Sequence, residues 1–339
     1  MTAPEAPGVA ELRDSPAWYP LEAGDDGVQL LRLTADDYAA ASFLDQRLLQ
    51  SGYPRARAAA ALLATAAAGL PPCRHYLFHI GHVGSTLLSR LIGAHCGCFA
   101  LREPALLRAL AVASPAAPPL AVVLALLGRT WRRGQVAVVK ATSFVSELAD
   151  PILTASGAPR ALLVYAAPLA YVRGILAGAN SRAETRALAP ARLQRLVRRL
   201  SGTPWHGEPR SEGELVAMSW LCEMLTLEQT ASRHPQGILW VDFDRFLQEP
   251  VAGLAAVFGA LGVTVAQPEL ETLAAGPIMR QYSKAPEHAY DAALRREVLA
   301  GADFEHGAEI QRAMAWLGAL AGVHPPVRAL LESLPRRAG

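Results

Sequence analysis

The sequence predicts an α/β protein of three layers, a parallel sheet flanked by helices, with helical extensions at both ends. Five short apolar runs predict the sheet: Tyr76–Ile80, Cys98–Leu101, Val136–Val139, Ala161–Tyr165 and Ile238–Val241. Helix-length segments lie between them, the alternation expected of buried parallel strands covered on both faces. The first run ends in Gly81-His82-Val83-Gly84-Ser85-Thr86 and passes into a leucine-rich pattern, which reads as strand, tight loop and helix.

The elements follow in chain order. Residues 1–20 look irregular. Thr34-Ala35-Asp36-Asp37 resembles a capping box, and the helix it starts is expected to run to Gln50, ended by Ser51-Gly52-Tyr53-Pro54. The alanine run Ala58–Ala68 reads as a helix stopped by Gly69-Leu70-Pro71-Pro72. Residues 1–70 are therefore expected to form a helical N-terminal extension, and 71–270 the α/β core. The apolar stretch from Ala109 to Gly128 contains Ser114, Pro115, Pro118 and Pro119, so a loop between two helices is expected there. After Val265 the pattern is helical again, with a polar turn at Arg280–Glu287. Residues 271–339 are expected to pack on the core as a C-terminal helical segment.

Composition narrows the classes. Of 339 residues 52% are hydrophobic, enough for one large core, and the formal net charge of +2 with only 18% charged residues argues against nucleic-acid binding. The basic cluster from Arg192 to Arg199 reads as a solvated helix face. Cys73, Cys96, Cys98 and Cys222 form no C-x-x-C pair and suggest reduced thiols. No basic-then-apolar leader opens the chain and no apolar run suits a membrane span, so a cytoplasmic protein is expected.

In a parallel sheet of this kind ligands sit beyond the carboxyl ends of the strands. The loop at 81–86 is the first candidate. Gly81 and Gly84 let backbone approach an anion, the new helix offers unpaired N–H groups and the positive end of its dipole, and Ser85 and Thr86 add hydroxyls. The loop is not a Walker sequence, since no lysine stands between Gly84 and Ser85. His82 could donate to an oxyanion or accept a proton. Glu103, after the second run, reads either as a general base or as a carboxylate paired with Arg102 or Arg108. Lys140, after the third, reads either as the missing positive charge or as a snorkelling surface lysine. Asp242 reads as a Walker-type acid or a helix cap. Arg173 and Lys284 are further candidate anion contacts. No metal-ligand spacing is present. A Gly84→Val change is expected to block ligands while leaving the fold largely intact.

The order of these pieces over about residues 74–290 resembles the sulfotransferase superfamily, the P-loop-related enzymes that use 3′-phosphoadenosine 5′-phosphosulfate. Gly81-His82-Val83-Gly84-Ser85-Thr86-Leu87-Leu88 stands where that family has its phosphosulfate loop. Arg102-Glu103-Pro104 looks like the segment supplying a glutamate base in several branches, and Val138-Val139-Lys140 like the third strand with its lysine. Val241-Asp242-Phe243-Asp244-Arg245-Phe246-Leu247-Gln248-Glu249-Pro250 is similar to a further family segment. The resemblance implies sulfuryl transfer to a hydroxyl or amine, with Glu103, His82 and Lys140 at the chemistry and Gly81, His82, Gly84, Ser85, Thr86, Arg173 and Lys284 on the donor. Three positions depart from the pattern. His82 replaces the loop cation, Ala166-Ala167-Pro168 replaces the Arg-Asp-Pro that holds the 3′-phosphate, and Gly174 replaces a serine. A nucleotide-dependent phosphotransferase and a non-catalytic binding protein are the alternatives. The acceptor, a small molecule or a peptide, is left to the loops and extensions.

Overall fold

The computed structural model describes residues 6–201, 207–281 and 290–337. The N-terminal part is not the helical extension its composition suggests. It comprises α1 (Val9–Asp14), β1 (Trp18–Gly24), β2 (Gly27–Arg32), α2 (Ala35–Ala40), β3 (Arg55–Ala58) and α3 (Ala60–Ala67), with β1, β2 and β3 forming an antiparallel sheet in that order. Gly24 pairs with Gly27 across the Asp25-Asp26 turn, and Gly27 has φ of 112°. β2 is buried on both faces, which explains its strand form. Val28 and Leu30 join a small cluster with Leu12, Leu63 and Leu126, while Leu31 and Leu33 join the main core.

The helix beginning at the Thr34 cap ends at Ala40 rather than Gln50. Arg102 satisfies the end of that helix. Its buried guanidinium donates to the carbonyls of Tyr38, Ala39 and Ala41, which are the last acceptors of that helix. Burial pushes the Arg102 pKa down to about 10. Asp45 then caps a 3₁₀ turn over Gln46–Ser51.

The core runs β4 (His75–His79), α4 (Ser85–Ala94), β5 (Cys98–Arg102), α5 (Ala105–Ala111), α6 (Leu120–Leu127), β6 (Val136–Lys140), α7 (Ala149–Ala155), β7 (Arg160–Tyr165), α8 (Pro168–Leu176), α9 (Ala179–Arg199), α10 (Glu212–Arg233), β8 (Ile238–Asp242), α11 (Phe243–Gln248) and α12 (Pro250–Leu261). The five strands are parallel, in the order β5-β6-β4-β7-β8, and helices flank them. Their apolar content agrees with burial: Tyr76, Leu77, Phe78, Leu162 and Leu163 are fully enclosed. After α13 (Gln267–Ala275), two long helices close the chain. α14 (Ala292–Val323) packs on α8 and α10, and α15 (Pro325–Arg337) packs on α14 and α10. Among the described residues no helix is long and apolar enough to cross a membrane.

Candidate functional site

β4 is the central strand. The chain leaves it for β5 at the edge, returns to β6 beside β4, then crosses to β7 on the other side. The crevice beyond its carboxyl end is therefore the switch point at which open α/β sheets bind ligands. Here the turn occupies residues 81–84 and α4 begins at Ser85. Gly81 and Gly84 have φ of 85° and 64°, as does His82 at 55°. Among the described residues, no hydrogen bond takes up the N–H groups of Val83, Gly84, Ser85 and Thr86. The Thr86 hydroxyl is buried with no hydrogen-bond partner among the described residues. N–H groups at a helix start beside an unsatisfied hydroxyl are the donors from which bound anions accept in other proteins.

The β5–β6 register sets the second part. Arg102 stands opposite Lys140, so Glu103 emerges beside the end of β6 and its N–H donates to the Lys140 carbonyl at 2.7 Å. The Lys140 ammonium forms an ion pair with Glu103 Oε1. Both side chains are buried, Lys140 at 1% exposure and Glu103 at 7%. Lys140 therefore does not snorkel to solvent, and Glu103 pairs with neither Arg102 nor Arg108. Glu103 also has φ of 55°, an uncommon value for a non-glycine residue. Of the three described non-glycine residues with positive φ, His82 and Glu103 line the same cavity and Ala113 does not.

That cavity has a volume of about 1030 Å³. Gly81, His82, Gly84, Ser85, Thr86, Glu103 and Lys140 all line it, so the structure gathers most of the sequence-derived candidates in one place. The His82 ring is held from α9, with Nε2 at 3.1 Å from Glu184 and Nδ1 at 3.3 Å from the Ser181 hydroxyl. Arg173 does not line the cavity; its Nε is 2.6 Å from Asp303. Lys284 lies outside the described residues.

Phe243 and Thr142, which follow strand ends, line the cavity too, and so does Arg295 of α14, which sequence reasoning passed over. Arg295 grips Asp244 with two nitrogens, at 2.5 and 3.1 Å, and lies over the Phe243 ring. That ring fills the space beside Gly84. A Cβ at Gly84 would meet it at 1.9 Å. The expectation that Gly84→Val spares the fold is thus overturned, because the substitution collides with buried Phe243 as well as requiring positive φ. Nothing local to Arg295 marks it; only the packing of α14 brings it there.

Asp242 does not line the cavity, and one of its oxygens accepts from the N–H groups of Asp244 and Arg245. It is the N-cap of α11. Burial raises its pKa first of all, against those N–H groups. Among the described residues no group of His, Cys, Asp and Glu side chains could hold a metal ion.

No protein-family model matches the chain, and no curated protein matches it. Among solved structures it is similar to one described as the sulfotransferase domain from the curacin biosynthetic pathway. The identity is 15% and the TM-score 0.39, over 73% of this chain and 98% of that one.

Proposed function

We propose that the protein is a sulfotransferase-like enzyme that moves a sulfuryl group from an adenosine phosphosulfate donor to a hydroxyl or amine acceptor. One juxtaposition carries the reading: an anion cradle and a buried carboxylate–ammonium pair open on the same cavity. The phosphosulfate end of 3′-phosphoadenosine 5′-phosphosulfate fits the cradle, where the N–H groups of Val83 to Thr86 and the Thr86 hydroxyl would hold it. Bound there, the donor supplies an activated sulfuryl group. The 3′-phosphate finds no cation at Ala166-Ala167-Pro168, and Arg173 is engaged by Asp303.

The chain's own groups account for the proton and the charge. Glu103 takes the proton as the acceptor oxygen or nitrogen bonds to sulfur. The breaking S–O bond leaves its electron pair on the departing phosphate. Protonation of Glu103 removes the negative charge paired with Lys140, and the ammonium, which lines the same cavity as the loop, offsets that developing charge. The phosphotransferase alternative asks for a carboxylate on Mg²⁺ beside the loop, and Asp242 is committed to its helix cap.

Thermal midpoints in the presence of adenosine 5′-phosphosulfate, 3′-phosphoadenosine 5′-phosphosulfate, and ATP with and without Mg²⁺ test this. A phosphosulfate should raise the midpoint, and Thr86→Val should abolish that rise. The same variant should be at least as stable as the parent without ligand, because an unsatisfied buried hydroxyl costs about 1–3 kcal/mol. A rise with Mg²⁺-ATP alone would replace the proposal by phosphoryl transfer.

A further inference from the structure

The cavity lining is mixed, with Glu22, Gln46, Arg47 and Arg108 present besides the loop and the Glu103–Lys140 pair. Its apolar wall is supplied by Leu21, Phe43, Leu106, Val112, Phe144 and Leu188. Val112 is 62% exposed at the edge of this wall. An apolar surface left open beside a reactive centre is one that an apolar ligand can cover.

A cation stands within that wall. Ala105, Arg108, Ala109 and Val112 all line the cavity, the three-to-four spacing of one helix face, so α5 runs along it from the reactive pair outward. Arg108 lies about one turn, roughly 5 Å of rise, beyond the start of α5 beside Glu103. Its nearest carboxylate is already in use. Buried Asp45 is gripped by Arg47 through Nε at 2.8 Å and Nη2 at 2.5 Å, while Arg108 stays at 3.9 Å, beyond hydrogen-bond distance. Two guanidinium groups share one carboxylate, and Arg108 makes no side-chain hydrogen bond among the described residues. Glu22 also lines the cavity, exposed, and accepts from the Gln46 amide at 3.4 Å.

We propose that this wall is an acceptor subsite for an apolar alcohol or phenol that carries a carboxylate. Its hydroxyl lies at Glu103–Lys140, its carboxylate on the Arg108 guanidinium and its apolar body against Leu21, Phe43 and Leu188. The guanidinium fork matches a carboxylate in two hydrogen bonds, which a hydrated ammonium would not reproduce as well. The inference rests on the proposed transfer reaction for the role of the hydroxyl; the binding of the carboxylate stands apart from it.

Calorimetric titration of the donor-free protein with para-hydroxyphenylpropanoate, and with the corresponding neutral propanamide, tests the subsite. The acid should bind roughly tenfold more tightly than the amide, as for one charge-assisted contact in a partly dry site. Arg108→Gln should erase that preference with an unchanged thermal midpoint, and Arg108→Lys should keep part of it. Thr86→Val should leave it intact, which separates this site from the cradle. Equal affinities for acid and amide, or no saturable binding of either, overturn the proposal. So does a preference that vanishes in Thr86→Val but survives in Arg108→Gln, since the carboxylate then sits in the cradle. A preference for tyramine that Glu22→Gln removes would reverse the sign of the recognised charge and overturn it as well. Failure of the transfer reaction itself would appear separately, as the absence of any phosphosulfate-induced midpoint shift.

Discussion

Lys140 and Glu103 have each exchanged water for the other, and that exchange governs what substitution does. Removing one partner of a buried pair leaves a charge without compensation, which typically costs 3–5 kcal/mol. Lys140→Met and Glu103→Gln should therefore each lower stability by about that range or somewhat less, since Gln leaves Lys140 an acceptor. The double variant should recover most of the loss, measured by urea unfolding. On the proposed transfer reaction, turnover should stay down by about 10²-fold or more in every member of the cycle, because its proposed base is absent or misplaced. A double variant that is stable yet inactive would separate the chemical role from the structural one. Both residues were legible as strand-end positions after apolar runs. Their pairing was not, since it depends on the register that sets Arg102 opposite Lys140.

At the scale of elements, the charges of α9 read differently in sequence and in structure. Its basic run reads as a solvated face, yet Arg192 is 5% exposed and Glu223 on α10 is fully buried. Arg192 and Arg195 donate to Glu223 at 2.9 and 2.7 Å, and Arg195 and Arg199 donate to Glu147 at 3.1 and 2.8 Å. Periodicity shows only that a helix has a basic face, not that another helix offers carboxylates to it. The same helix carries Ser181 and Glu184 to His82, so this clamp also fixes one side of the 81–84 loop. Burial pushes the Glu147 pKa up, but the hydrogen bond and charge of Arg199, with Arg195, outweigh it and hold the group below its ordinary value. A depressed folded pKa gives stability that is present above the unfolded value, about 4.3, and is lost as pH falls through the folded one. Unfolding free energy should thus drop as pH falls below about 4.3, and Glu147→Gln should be less stable near neutrality with a shallower acid limb. Parallel stability–pH curves for the two proteins would show that Glu147 contributes nothing to acid sensitivity.

For the molecule as a whole, the C-terminal helices belong to the fold rather than adorn it. Ile310, Trp316, Leu317, Leu320, Val327 and Leu330 are buried in the main core. At roughly 1.5–3 kcal/mol per large apolar side chain, their burial rivals the 5–15 kcal/mol by which a typical domain is stable. A chain ending at residue 290 should lose its cooperative thermal transition, followed by circular dichroism. It would also lack Arg295, which braces Phe243 against the loop glycine. A sharp transition in the shortened chain would show that the sheet and its nearer helices stand alone.

The amino-acid sequence by itself determined the five parallel strands, the helix starting at Ser85 and the strand-end positions of the candidate groups. These rest on local physics: apolar runs of strand length, glycines that permit positive φ, and the unpaired N–H groups of a helix start. The antiparallel sheet near the N-terminus was within its reach too, through Gly24-Asp25-Asp26-Gly27 between apolar runs, but alanine-rich neighbours masked the signal. Only the tertiary structure decided which charges meet. Arg102 turns to end α2, Arg173 turns to Asp303, Arg295 reaches Asp244 from a distant helix, and Arg108 is left beside a carboxylate that Arg47 already holds. Such pairings are set by strand register and helix packing between segments far apart in the chain, and no local pattern records them.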